Sequence, residues 1–438
     1  MFELLLPAGM RVLSGELAEI DAVLDDPRFF GPFRPFFSPL AGRPSIPMET
    51  YLRMMVLKQR TGLGYARLCV EIADSLSWRR FCRIGLERPV PDESTIRKIT
   101  SRCGPELIEH LNRELLGKAN DVRLVNLHRV RVDTTVVEAD IKFPTDSGLL
   151  TAAISRIEVR LRRLRARRVP VTFTCRTAEA RSLQHSIGVF LRRRNDEAKA
   201  EVLVITGKLA DLAERTVNEA AVLVGYNSRR RPVRRMVEAL TVLVERTRTV
   251  IDQARSRVAG TQPDGATRLV SLHEPDARPI RKGRLGRPVE FGYKAQVLDN
   301  ADGLILDHSV HIGNPSDTTL VRPALQRVID QFGRAPDLLT ADRGYWESII
   351  EPDLKDLGVT TVVIPRTGKP SQARQTIEQA QPFVDAVKWR TGSEGRISHL
   401  KRDWAWRRTR LRSHNGARTW CAHGVFAHNI VKIVQLQT

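Results

Sequence analysis

Three acidic residues have surroundings that would let them hold hard divalent cations. Asp133 lies in the alternating stretch Leu124 to Val136, framed by Val132 and Thr134. Asp342 closes an apolar run just before Arg343-Gly344-Tyr345, where the glycine lets the chain turn away. Glu394 opens a late helical stretch between Trp389 and Lys401. Phosphodiester chemistry without a covalent enzyme intermediate uses two divalent metals about 3.5 to 4 Å apart, one activating the attacking oxygen and one steadying the leaving oxygen. Mg²⁺ keeps several waters and takes few protein ligands, so two or three carboxylates from separate elements suffice. At about 100° per residue, Arg390, four positions before Glu394, and Lys401, seven after it, share its face if one helix runs through Arg390. Two cations there would suit DNA phosphates beside a cut.

The elements that must carry these acids follow from periodicity. Residues 124–136 alternate apolar and polar side chains and are rich in β-branched residues, which predicts a strand. Phe291 to Leu298 and Leu304 to Val310 flank the turn Asp299-Asn300-Ala301-Asp302-Gly303 and predict a hairpin. Next come an expected helix over 316–332, a strand over 337–341, a helix over 346–357, a strand over 359–364 and helix again in the last 50 residues. This order predicts a mixed α/β fold, a mixed sheet with flanking helices. Before it, short amphipathic helices are expected at Met48 to Gln59, Tyr65 to Asp74 and Trp78 to Cys82. After Pro91 another helix follows, with Asp92 or Ser94 as its cap and Arg97, Lys98 and Arg102 on a basic face. Helix, turn and basic helix suit a DNA-reading module. Residues 151–290 interrupt the sheet and read as helix at Leu149 to Arg168, Glu197 to Val224 and Val233 to Val258.

Charge points to the partner. The 438 residues carry 71 Lys or Arg against 50 Asp or Glu, a net +21. Such an excess calls for an anion, and nucleic acid comes first because its phosphates release counterions when Lys and Arg neutralise them. Residues 151–290 hold 30 Lys or Arg and 15 Asp or Glu, with clusters at Arg162 to Arg168, Arg192 to Arg194 and Arg229 to Arg231, so most of the excess is inserted. Five widely spread cysteines without a CxxC pair argue against zinc ribbons and disulfide frameworks. No 18-residue apolar run and no basic leader before an apolar segment are present, so a cytoplasmic protein without membrane spans is expected.

The ordered set of motifs resembles the DDE transposases of bacterial insertion sequences. Arg131-Val132-Asp133-Thr134-Thr135-Val136-Val137-Glu138 is similar to the first-aspartate motif, Asp342-Arg343-Gly344-Tyr345 to the second, and Arg390-x3-Glu394-x6-Lys401 to the spacing around the third carboxylate. Val387 stands where many relatives have a tyrosine. Asp276 to Arg284, leading into Glu290-Phe291-Gly292-Tyr293-Lys294, and the region from Pro47 to Arg102 extend the likeness over nearly the whole chain. The resemblance implies an RNase H-like catalytic domain and two Mg²⁺ or Mn²⁺ ions on Asp133, Asp342 and Glu394. It also implies DNA contacts through Arg97, Lys98, Arg343, Arg390 and Lys401. Oligomeric synapsis of element ends and strand cleavage followed by transfer, in a nucleoid-associated bacterial protein, are further implications. The expected division is a helical DNA-binding domain at 1–120, the first catalytic strand at 121–150, a basic helical insertion at 151–287, and the rest of the catalytic domain with C-terminal helices at 288–438. A catalytically idle DNA-binding relative and an RNase H-like nuclease that cuts without joining are the competing readings.

Other groups have plainer readings. Asn314, Ser316 and Asp317 are expected to cap the helix that follows them. His399, His414, His423 and His428 lack the spacing of a metal set, and Trp389, Trp404 and Trp406 suit either a core or stacking on unpaired bases.

Overall fold

The computed structural model describes residues 7, 9, 11–36, 46–193, 195–281 and 288–437. Arg194 and the Lys282-Gly283-Arg284 part of the motif after Asp276 lie outside the described residues. The chain forms two compact units, one of residues 1–140 and 293–438 and one of residues 141–292. No helix among the described residues is long and apolar enough to cross a membrane.

The first unit opens with helices α1 (Glu16–Leu24), α2 (Met48–Thr61), α3 (Tyr65–Asp74), α4 (Leu76–Phe81) and α5 (Glu93–Asp121). Asp92 caps α5 as expected, its carboxylate accepting from the Ser94 amide at 2.7 Å. Strand β1 (Arg129–Glu138) then leads to the second unit.

That unit is built from α6 (Asp146–Arg165), α7 (Thr177–Phe190), α8 (Asp196–Ala221) and α9 (Arg231–Val258), followed by β2 (Arg278–Arg281) and the start of β3 (Val289–Asn300). Leu150, Ile154, Ile157, Leu161 and Leu164 recur on one face of α6 and pack with Leu209, Ala213, Leu240 and Val244. The Arg162, Arg163 and Arg165 side chains fall on the exposed face. Helix α7 was not legible from periodicity, because it buries only Ala180 and Ile187. It is started from outside: Glu158 of α6, fully buried, accepts from the Thr177 amide at 3.0 Å and from the Thr177 hydroxyl at 2.7 Å. That carboxylate satisfies amides of a helix end that its own N-cap, Arg176, leaves open.

The chain returns to the first unit at Tyr293, within β3, and continues with β4 (Ile305–His311), α10 (Asp317–Phe332), β5 (Leu338–Thr340), α11 (Ile350–Asp356), β6 (Thr361–Val363), α12 (Gln372–Gln379), α13 (Gln381–Arg390), α14 (Gly392–Asp403) and α15 (Ser413–Gln437). The expected hairpin is present, β3 pairing antiparallel with β4 from Lys294 opposite His311 to Asp299 opposite Ile305. The sheet runs β4-β3-β1-β5-β6, and β2 pairs with the first residues of β3. Strands β1, β5 and β6 are mutually parallel, so the fold is the mixed open sheet with flanking helices that the element order predicts.

Local details depart from expectation. The expected helix over 346–357 begins only at Ile350, because Asp342 starts a short 3₁₀ turn at Arg343–Tyr345 instead. Helix α12 buries no residue and gave no apolar stripe to read. Helix α10 is not capped as expected: the Ser316 hydroxyl bonds the Thr318 hydroxyl at 2.7 Å, and Asp317 lies inside the first turn.

Candidate active site

Strand β1 is buried through Val130 to Val132 and Thr135 to Val137, and its pattern is interrupted at Asp133 and Thr134. An acid in the middle of a sheet must be held by polar partners, since an unpaired buried carboxylate is costly. The Asp133 carboxylate accepts from the Thr134 amide at 2.8 Å and from the Ser393 hydroxyl at 2.7 Å, with an Arg390 guanidinium nitrogen 3.8 Å away. Burial pushes its pKa above its ordinary value, and the charge of Asp342 pushes the same way against the hydrogen bonds and Arg390.

The approach of Asp342 to Asp133 has a simple origin in the sheet. Parallel pairing sets Arg129 opposite Leu338, Val130 opposite Leu339 and Arg131 opposite Thr340. Continued for two residues, that register brings Asp133 level with Asp342 on neighbouring strands, which lie about 4.8 Å apart. Asp342 then turns the chain, its carboxylate accepting from the Gly344 amide at 2.8 Å. A side chain at Gly344 would put its Cβ 3.0 Å from an Asp342 oxygen and 3.6 Å from an Asp317 oxygen, so any other residue would crowd the Asp342 carboxylate.

Those contacts add an acid that sequence reasoning treated as a helix cap. Asp317 pairs with the buried ammonium of Lys294 at 2.8 Å, which also donates to the Pro315 carbonyl at 2.8 Å. Tyr345 follows Gly344 into the core, and Gln296 donates to its hydroxyl at 3.3 Å. Burial pushes the pKa of that hydroxyl well up, and the charges of Asp317, Asp133 and Asp342 all add to it. Three carboxylates therefore act on one buried phenol.

Glu394 stands in the first turn of α14, exposed, and its carboxylate makes no hydrogen bond or ion pair among the described residues. Its neighbour Ser393 is the α14 residue that reaches Asp133. No group of three or more His, Cys, Asp or Glu side chains among the described residues is arranged to hold one metal ion. The structure thus brings Asp133 and Asp342 into one field and leaves Glu394 on the adjoining helix.

A second tie runs through Arg131, two residues before Asp133 and on the same face of β1. Its buried guanidinium bonds both oxygens of Asp299, at 3.0 and 2.8 Å, and donates to the Trp389 carbonyl at 3.0 Å. Arg396 of α14 reaches the same Asp299 at 3.2 Å. Gly392, the first residue of α14, permits this: a Cβ there would fall 2.5 Å from an Arg131 nitrogen. The contacts of Arg131 span 168 and 258 positions, and only the identity of Arg131 within the first motif signals them.

The cations expected at DNA divide. Arg390 ends α13 while Glu394 and Lys401 belong to α14, so the single helical face expected for the three does not exist, and Arg390 turns toward Asp133. Lys401 is half-buried. Arg343 is exposed beside Asp342, and Lys98 is exposed on α5. Arg97 is exposed, pairs with Glu93 at 2.9 Å and lies over the Tyr65 ring. Trp404 and Trp406 are core residues, with indole nitrogens donating to His399 at 3.0 Å and to the Cys421 carbonyl at 3.1 Å. His423 and His428 are likewise buried in the core.

Residues 11–102 match the family model "Transposase domain (DUF772)" and residues 245–430 match "Transposase DDE domain". Asp342 and Glu394 fall inside the second range and Asp133 between the two. Among curated proteins, an uncharacterized protein, ORF8 in the nfe locus of Rhizobium meliloti, is 29% identical over 147 residues, 32% of this chain and 70% of that protein. No solved structure matches. With its two matched regions and its mixed RNase H-like sheet, the chain belongs to the DDE transposases of insertion sequences.

Proposed function

We propose that this transposase binds the ends of its own element and cuts and joins DNA strands at Asp133 and Asp342, with Glu394 completing the acidic set from α14. The observation that carries the reading is the shared field of Asp133 and Asp342 at the level where β1 and β5 run side by side. A divalent cation fits this donor set. Two carboxylates that raise each other's energy, one of them largely buried, gain from a positive charge between them, and their oxygens suit Mg²⁺ or Mn²⁺. Asp133, Asp342 and Glu394 would hold the cations, two being the number that strand cleavage and transfer call for. When bound, such ions supply Lewis-acid stabilisation of the attacking and leaving oxygens.

The protein's own groups do the positioning. Ser393 and the Thr134 amide fix the rotamer of Asp133, leaving a defined oxygen edge for a ligand. The Gly344 amide does the same for Asp342. Arg390 offers a cation beside Asp133 for a phosphate drawn to the site, and exposed Arg343 offers another beside Asp342. Arg97, Lys98 and Lys401 would contact DNA farther from the cut. Assembly as a homo-oligomer on paired element ends follows from the need to process two ends together.

The test is incubation of the full chain with labelled DNA carrying the sequences that bound its gene, with Mg²⁺ or Mn²⁺. Joined products support strand transfer, nicked products alone indicate a nuclease, and shifted but uncut DNA indicates an idle binder.

A further inference from the structure

Beyond the carboxylates, charge gathers around a cavity of about 650 Å³ at the C-terminal end of α2, facing the loop between α14 and α15. Six cations line it, Lys58, Arg60, Arg402, Arg407, Arg408 and Arg410, against one acid, Asp403. Three of the six are answered: Arg60 by Glu16 at 3.0 Å, Arg402 by Asp403 at 3.1 Å and Arg408 by Glu138 at 2.8 Å. Lys58, Arg407 and Arg410 have no carboxylate partner among the described residues. The negative end of the α2 dipole, worth about half a charge, offsets only part of this excess.

Lys58 is the unusual member. It is 3% exposed, and its ammonium sits 4.2 Å from the centre of the Trp420 ring and 4.9 Å from that of Tyr65. Burial, helped by the charge of Arg410, pulls its pKa down to about 8. Aromatic faces stabilise a cation modestly, but a buried ammonium without a counter-charge remains costly. Gathering Arg407 and Arg410 at the same cavity adds repulsion that packing does not require, since both side chains are exposed.

The cavity is also tied to the catalytic strand. The Glu138 amide donates to the Arg407 carbonyl at 3.2 Å, and the Thr409 amide donates to the Glu138 carbonyl at 2.9 Å, so the basic loop continues the end of β1. Glu138 lies five residues beyond Asp133, about 17 Å along an extended strand, so the basic loop and the acids are separated by more than one phosphate of a bound strand.

We propose that this cavity takes a phosphate of the DNA backbone a few nucleotides away from the one at Asp133 and Asp342, gripped by Lys58, Arg407 and Arg410. The inference rests on the transposase reading above and deepens it by naming where DNA is held away from the cut. A phosphate oxygen can accept from the ammonium at the cavity's base while the two exposed guanidiniums close on it from the loop.

The experiment uses the full chain and a duplex of the element-end sequence, with affinity measured across a salt series for wild type, Lys58→Met and the double variant Arg407→Gln/Arg410→Gln. Each lost phosphate contact is expected to lower the slope of log affinity against log salt by about 1 and to weaken binding about fivefold near 0.15 M salt. Should Lys58→Met fail to fold, the exposed double variant decides alone. Variants that are folded and bind with wild-type affinity and slope overturn the inference. A calorimetric titration with inorganic phosphate forms the second arm: loss of phosphate binding in the variants with unchanged duplex binding would assign the cavity to a free anion and reject the DNA contact. If the wild-type chain binds no duplex, the transposase reading fails along with this one, whereas wild-type binding matched by the variants sinks this one alone.

Discussion

The Ser393 hydroxyl donates to Asp133 at 2.7 Å across 260 positions of chain, joining the first residue of the late helix's buried face to the acid in the first strand. It is the contact by which α14 registers itself against β1, one residue before Glu394. Helix position and carboxylate orientation are therefore set together.

Removing that hydroxyl should loosen Asp133 without touching DNA contacts. Ser393→Ala is expected to lower the cutting rate about 10- to 100-fold, as loss of an outer-shell partner commonly does, while leaving duplex affinity unchanged. Ser393→Thr, which keeps the hydroxyl, should recover part of the loss. Single-turnover cleavage beside a binding titration separates the two effects, and an unaltered rate in Ser393→Ala would show that the contact is only structural.

The buried pair of Arg131 and Asp299 should matter for stability first. Its side chains are 8% and 3% exposed, and Asp299→Asn would leave Arg131 and Arg396 without their shared counter-charge. Breaking a buried ion pair from one side costs about 3 to 5 kcal/mol. Urea unfolding of Asp299→Asn should show a fall of that order, and cutting should fall as well, because Arg131 holds the α13–α14 junction through the Trp389 carbonyl. A fall below about 1 kcal/mol would mean that the pair is dispensable.

Acid should destabilise the fold through its histidines. Burial pulls His423 and His428 down to about 3 and His308 to about 4, so these rings stay neutral in the folded chain well below pH 6. In the unfolded chain they titrate near 6.5, so as the pH falls from 6.5 toward 4 the unfolded state takes up protons that the folded state refuses, and stability is lost. Each such ring should cost roughly 2 kcal/mol at pH 5 relative to pH 7. His423→Gln should flatten the profile between pH 7 and 5 in denaturant titrations, and an unchanged slope would contradict the assignment.

Much of the fold and the placing of Asp133 beside Asp342 could be read from the chain because the signals are local. The alternation around Asp133 marks a strand, and the Asp342-Arg343-Gly344 step marks a strand that ends in a turn. Their proximity then follows from parallel pairing of β1 and β5. Other features depend on long-range contact and had no local signature. Asp317 looked like a cap because acids at helix starts are common, and only the packing around Gly344 reveals its place near Asp342. Helix α7 has too narrow an apolar stripe to announce itself and is held by Glu158 from a different helix. The basic cavity joins residues 58 to 60 with 402 to 410, where neither stretch alone differs from an ordinary solvated run.

Asp133 and Asp342 are proposed to act together as the cation-binding core of a DNA-cutting site, with Glu394 supplying the third carboxylate. Cleavage of an element-end duplex should be measured for Asp133→Asn, Asp342→Asn and Glu394→Gln in Mg²⁺ and in Mn²⁺, with duplex affinity measured in parallel. Cutting is expected to fall at least 10³-fold in each variant, with affinity within about twofold of wild type. Near-wild-type cutting by Asp133→Asn or Asp342→Asn would contradict this arrangement, and near-wild-type cutting by Glu394→Gln alone would move the third carboxylate elsewhere, with Asp317, which faces Gly344 as Asp342 does, the next residue to test.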